Sequence, residues 1–101
     1  MKVSLTEIIN DFLISVSAEK NFSNHTLKAY SIDLSRFATF IKKFYVESFN
    51  DIHQINRLQI RQFMGNEFES GLSSKTVARR LASIKSFFNF LIQFELLEQS
   101  P

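Results

Sequence analysis

The residues with the clearest chemical potential stand near the start of one predicted helix, in the stretch SSKTVARRLASIKSFFNF. Lys75, Arg79 and Arg80 come before its phenylalanines. At 100° per residue they share an arc of about 140° with Thr76 and Ser83. Cationic and hydroxyl side chains bind phosphate oxygens, and the free N–H groups of a helix N-terminus favour anions. The pattern therefore predicts that the first half of this helix binds a polyanion and that its second half is a buried anchor.

A second predicted helix start carries similar groups. Asn24, His25, Thr26 and Lys28 lie largely away from the apolar stripe of their helix. Amide and hydroxyl side chains with one lysine are typical of contacts to phosphates and base edges. Two such helix starts, from distant parts of the chain, could address one groove of a duplex and the backbone beside it.

The sequence offers no set of residues for catalysis or for a metal. A Gly-rich phosphate loop, a Ser-His-Asp set, a pair of acid/base carboxylates and cysteine are all missing. His25 and His53 have no Glu or His partner at metal-ligand spacing. Tyr30 lies on an apolar stripe, so we expect a core residue with a hydroxyl partner and not a nucleophile. The prediction is a chain without catalytic residues, metal or cofactor.

Composition and charge place these residues in one small domain. A chain of 101 residues has the usual length of a single domain, and its twelve phenylalanines can build a core. The net charge of +2 is uninformative, but residues 72–94 hold four basic residues and no acidic one. The chain contains no run of about 18 apolar residues and no signal-peptide pattern. We therefore expect a cytoplasmic protein without a membrane partner.

Apolar periodicity predicts four helices and no strand. The first begins with a capping box of Ser4 and Glu7 and ends near Glu19. The other three are expected from a Ser23 cap to about Phe44, from an Asn56 cap to the Gly71 region, and from a Ser73 or Ser74 cap to about Leu97. The stretch YVESFNDIHQIN is predicted to be a polar connection.

Two stretches of the chain resemble a known family. NFSNHTLKAYSIDLSRFATFI and LSSKTVARRLASIKSFFNFLIQFELLEQSP are similar to the N-terminal core-binding (SAM-like) domain of tyrosine recombinases, the phage integrase superfamily, especially its Xer-type members. The first motif is carried by Ser23, Thr26, Tyr30, Asp33, Leu34 and Phe37, and the second by Ser73, Lys75, Thr76, Arg79, Leu81, Lys85, Phe87, Phe88, Phe90 and Leu91. The resemblance covers nearly the whole chain.

The resemblance implies a fold and a role. Residues 1–101 would form one all-α domain, an orthogonal bundle of four to five helices that makes half of a clamp on double-stranded DNA. Its second and fourth predicted helices would lie at the major groove. Carried onto matching positions, the DNA-binding residues would be Thr26, Lys28, Lys75, Thr76, Arg79, Arg80 and Ser83. Residue chemistry adds Asn24 and His25, which lie at positions where members of the family vary.

The resemblance also implies partners. The catalytic residues, including a tyrosine that forms a covalent 3′-phosphotyrosyl link, would belong to a catalytic domain of the same chain after Pro101. Neighbouring recombinase subunits would complete a DNA-bound tetramer, with the acids Glu7 and Asp11 facing a basic neighbour, and the isolated domain would be monomeric. Chromosome-dimer resolution, phage integration and transposition share this domain, so neither the process nor the target sequence follows.

Other interpretations of the basic face remain open. A basic helix face is often only solvated surface. The main functional alternative is a helical protein-interaction module that docks an acidic partner through the same face. A helix-turn-helix regulator is disfavoured, because the predicted helices are too long and the loop before the fourth is not the short turn of that motif.

Overall fold

Apolar residues recur at alternating steps of three and four positions along the sequence, and segments with this pattern fold as helices. The computed structural model describes residues 2–19 and 23–101. In those residues it contains five α-helices and no strand: α1 (Leu5–Ser17), α2 (Asn24–Phe44), α3 (Val46–Asn50), α4 (Arg57–Glu69) and α5 (Ser74–Gln93). A short 3-10 turn, Ile52–Gln54, lies between α3 and α4. The all-α prediction is confirmed. The predicted break between α1 and α2 includes residues 20–22, which lie outside the described residues.

Three of the predicted helix caps form as expected. The hydroxyl of Ser23 accepts from the Thr26 N–H at 3.1 Å, and the hydroxyl of Ser73 accepts from the Thr76 N–H at 3.2 Å. Asn56 caps α4 by accepting from the Gln59 N–H at 3.0 Å. Each cap satisfies a backbone donor that has no partner within its own helix.

The capping box predicted for α1 is wrong. Ser4 occupies the N-cap position, but its side chain makes no capping hydrogen bond. The chain entering α1 is held instead from outside the helix. The Ile52 N–H donates to the Val3 carbonyl oxygen at 2.9 Å, and the Val3 N–H lies 3.5 Å from Oδ1 of Asp51.

Two boundaries also differ from the prediction. The supposed polar connection contains α3, which buries Ser48, and the 3-10 turn after it buries Ile52. A helix of five residues is too short to show an apolar period. The last helix ends at Gln93, because Glu95 adopts a left-handed φ of 60° and the Leu96 N–H folds back to the Leu91 carbonyl at 2.8 Å.

Large aromatic rings fill the space between α1, α2, α4 and α5. Phe37, Phe63, Phe87 and Phe88 are fully buried. Phe37 meets Phe63 edge-on with ring centroids 5.4 Å apart, and Phe12 of α1 meets Phe87 at 5.6 Å. Edge-on contacts of this kind stabilise aromatic clusters beyond the apolar area they bury. The aromatic core holds α2 and α5 against each other, and these two helices carry the predicted site.

Candidate nucleic-acid interface

A buried carboxylate joins α2 to the first half of α5. Asp33 of α2 is fully buried. The Ser83 hydroxyl donates to its Oδ2 at 2.7 Å. Arg79 donates to both of its oxygens, from Nε to Oδ2 at 3.2 Å and from Nη2 to Oδ1 at 2.7 Å. Such a two-point pair fixes the plane of the guanidinium as well as its position.

Arg80 is buried in the same region. It pairs through Nη1 with Oε2 of Glu67 on α4, and its Nε lies 3.4 Å from Oδ1 of Asp33. Only 7% of Arg80 and 3% of Ser83 is exposed. The prediction that these two side chains lie on an exposed arc is therefore wrong. The reason is that α5 packs against α2 on one flank and α4 on the other, and each neighbour supplies a buried carboxylate.

Glu67 was missed at the sequence level, although a signal for it existed. It follows Phe63 by one helical turn on α4, so it lies on the buried face of that helix. A carboxylate at such a position needs a cationic partner in the core. Arg80, placed at the edge of the basic arc, is that partner.

Arg79 differs from Arg80 because its side chain remains 49% exposed. Its pKa is raised above the usual value, chiefly by the hydrogen bond to Asp33, while partial burial opposes the rise. Arg79 is thus a cation held in place by a buried partner and still open to a ligand.

The structure brings four of the predicted residues together around one groove. His25 and Thr26 at the start of α2, and Arg79 and Ser83 of α5, line an open depression of about 340 Å³. His25 is exposed and Thr26 half-buried. The depression joins the first turn of α2 to the second and third turns of α5.

Four other predicted residues, Asn24, Lys28, Lys75 and Thr76, are not in the lining of this groove. Asn24 and Lys28 are exposed on the first turns of α2, and Lys75 is exposed on the first turn of α5. Lys75 forms no ion pair with a described residue. Thr76 is half-buried, and its Oγ1 accepts from the Ser73 hydroxyl at 3.1 Å. The start of α2 has the same geometry: the hydroxyl oxygens of Ser23 and Thr26 also lie 3.1 Å apart.

Tyr30 and His53 each contact a neighbouring side chain of the fold. Tyr30 is half-buried, with its hydroxyl donating to Ser86 Oγ at 3.4 Å, as expected for a core tyrosine. His53 is exposed, and its Nδ1 lies 2.7 Å from Oδ1 of Asp51, which lowers the pKa of that carboxyl.

Among residues 2–19 and 23–101, no group of three or more His, Cys, Asp or Glu side chains could hold a metal ion. No described helix is long and apolar enough to cross a membrane.

Comparisons with known proteins identify relatives of this chain. The chain is 34% identical over 96 residues to the tyrosine recombinase XerC of Chlorobaculum tepidum, an alignment that covers 92% of this chain and 29% of that protein. It is 31% identical over 94 residues to the tyrosine recombinase XerD of Staphylococcus saprophyticus, covering 93% of this chain and 31% of that protein. The chain thus spans less than a third of the length of these relatives. No solved structure matches it.

The family profile described as "Phage integrase, N-terminal SAM-like domain" matches residues 9–95, which include α2, α4, α5 and every residue of the candidate interface. The match extends over most of the chain. The chain belongs to the phage integrase N-terminal SAM-like domain family.

Proposed function

We propose that this chain is the DNA-binding half of a site-specific tyrosine recombinase and grips duplex DNA with the first turns of α2 and α5 at the major groove. The observation that carries the proposal is the groove between the first turn of α2 and the second and third turns of α5, with the half-exposed Arg79 in its wall. A groove lined from two helices offers contacts to base edges and to the backbone on either side of them.

The proposed contacts divide by chemistry. Lys28 and Lys75, exposed and free of carboxylate partners among the described residues, suit phosphates. Asn24, His25, Thr26 and Thr76 supply short-range hydrogen bonds, and Arg79 faces base edges. Arg80 and Ser83 are assigned a supporting role, because both side chains make hydrogen bonds to buried carboxylates.

The full-length protein would act as a recombinase through residues in a second domain that follows residue 101, including a tyrosine that forms a 3′-phosphotyrosyl link. Neighbouring subunits on the DNA would contact α1, where Glu7 and Asp11 are exposed. This assembly, the cytoplasmic location and the monomeric state of the isolated domain belong to the same proposal.

Salt dependence of binding tests the proposed grip. We expect Lys75→Ala to weaken binding of a fluorescent 30-base-pair duplex at low salt. We also expect it to reduce the slope of log K against log salt by about 0.9, the value for one lost phosphate contact. Lys42→Ala is the matched control, since Lys42 lies in the last turn of α2 with its Nζ 5.6 Å from the Phe49 ring centroid. Equal losses for the two variants would contradict the proposal.

A second candidate function is docking of an acidic protein, and one observation favours it. On the other flank of α5, Arg57, Arg61 and Lys85 surround an apolar groove of about 380 Å³ between α4 and α5. Chemical-shift mapping with duplex DNA at low salt separates the two candidates. Shifts centred on the starts of α2 and α5 support DNA binding there, and shifts elsewhere favour the interaction module.

A further inference from the structure

We propose that Asp33 is a positioning residue for base readout: it holds the Nε–Nη2 edge of the Arg79 guanidinium so that the terminal Nη1–Nη2 edge is presented to a guanine. This inference rests on the proposed DNA-binding function and adds a base class and a device for recognising it.

The hydrogen bonds to Asp33 leave free the edge of the Arg79 guanidinium that a guanine would contact. An arginine has five N–H donors, one on Nε and two on each terminal nitrogen. Asp33 takes the Nε–H and one N–H of Nη2. Both N–H groups of Nη1 and one of Nη2 remain, and one N–H from each of these two nitrogens forms the end of the fork. Two donors in that arrangement match O6 and N7 of guanine in the major groove.

Asp33 is itself immobile enough to act as such a support. Its side chain has no exposed surface, and it receives the Ser83 hydroxyl at 2.7 Å in addition to Arg79. Arg80 Nε lies 3.4 Å from its other oxygen. A guanidinium held by this carboxylate loses less side-chain freedom on binding than a free arginine does, so more of its hydrogen-bond energy becomes affinity.

The same contact separates the role of Arg79 from that of Lys75. The Asp33 carboxylate offsets the charge of Arg79, so this residue adds little to the general attraction of phosphates. Lys75 has no such partner among the described residues and keeps its full charge. Loss of Lys75 should therefore change the salt slope for every sequence, whereas loss of Arg79 should change the preference for one base.

The experiment is a binding selection with the 101-residue chain on duplexes of randomised sequence, in which the bound fraction is sequenced. We expect wild type to enrich guanine at one position by about tenfold. Arg79→Lys keeps the charge but loses the fork, so it should lose this preference while retaining overall affinity. Asp33→Asn offers a single acceptor oxygen and no charge, and it should lose most of the preference. Lys42→Ala, in the last turn of α2 and outside the groove lining, is the control and should retain it.

A modified base and a spectroscopic probe test the proposal even if the Asp33→Asn variant does not fold. Replacing the enriched guanine with 7-deazaguanine should weaken binding of wild type about tenfold and leave Arg79→Lys unaffected. The Arg79 Nε–H resonance in a ¹⁵N spectrum should be protected from exchange in the free protein and stay so when the selected duplex binds.

The outcomes distinguish this inference from the proposed function. No binding of any duplex by wild type would overturn the proposed function and the role of Arg79 with it. Binding without a guanine preference would overturn the inference alone. So would a preference that survives in folded Asp33→Asn, or an Nε–H signal that loses protection when DNA binds, because Arg79 would then act without its support.

Discussion

The two halves of α5 differ in the side chains that they bury: the first half buries polar groups as well as Val77, and the second half buries only apolar residues. In the first half, Arg80 and Ser83 point inward; in the second half, Phe87, Phe88 and Leu91 do so, each exposed by 1% or less. The difference arises in the neighbouring helices. The first half meets Asp33 and Glu67, whereas the second half meets Phe37 and Phe12.

The contrast indicates that the two halves of α5 have different roles. Buried ion pairs contribute little net stability, since desolvation of the charges opposes their attraction. Aromatic burial contributes strongly. We therefore expect the second half of α5 to supply stability and the first half to supply a fixed orientation for Arg79 and Lys75. Rigid support of this kind is what a recognition surface requires.

The largest effect should come from the aromatic half. Phe88→Ala removes a fully buried ring that meets Phe37 at 6.4 Å, so we expect the free energy of unfolding to fall by about 4 kcal/mol. Urea unfolding followed by circular dichroism measures the change. Phe94→Ala is the matched control, because Phe94 is 56% exposed at the end of the same helix and should cost far less. Similar losses for both variants would contradict the assigned role of the second half.

The polar half should respond more weakly and in a different way. Glu67→Leu leaves Arg80 buried without its main partner, and we expect a loss of about 3 kcal/mol in the free energy of unfolding. Replacing both residues, as Arg80→Met with Glu67→Leu, should recover much of that loss because no uncompensated charge remains. The comparison is a double-mutant cycle measured by urea unfolding. A double variant as unstable as the sum of its single variants would show that the pair does not stabilise as a unit.

The sequence was sufficient to predict the four longer helices, but it did not predict α3 or the surroundings of each helix. The caps at Ser23, Asn56 and Ser73 and the left-handed Gly71 with φ 87° follow from local rules, so they could be predicted. A helical wheel describes directions within one helix and not how many neighbours that helix has. Arg80 was therefore placed at the surface, although α2 and α4 enclose it from two sides.

The candidate site shows the same limit. Residue types identified Lys75, Thr76 and Arg79 as a group that could bind an anion, but only Arg79 of these three lines the groove between α2 and α5. The buried partner of Arg79 was visible only as Asp33 in a family motif. Its role depends on a contact between residues 46 positions apart in the chain, which no local pattern encodes.

The smallest effect that still separates the two halves comes from the N-cap of α5. Ser73→Ala removes the hydroxyl that accepts from the Thr76 N–H, and we expect a loss of about 1 kcal/mol in the free energy of unfolding. Ser4→Ala is the matched control, because Ser4 holds the same position on α1 without a capping hydrogen bond and should change stability little. Amide hydrogen exchange should locate the loss in the first turns of α5, since a cap holds only the turn that follows it. Faster exchange at Phe87 and Phe88 instead would mean that the two halves of the helix unfold together, and the division between them would fail.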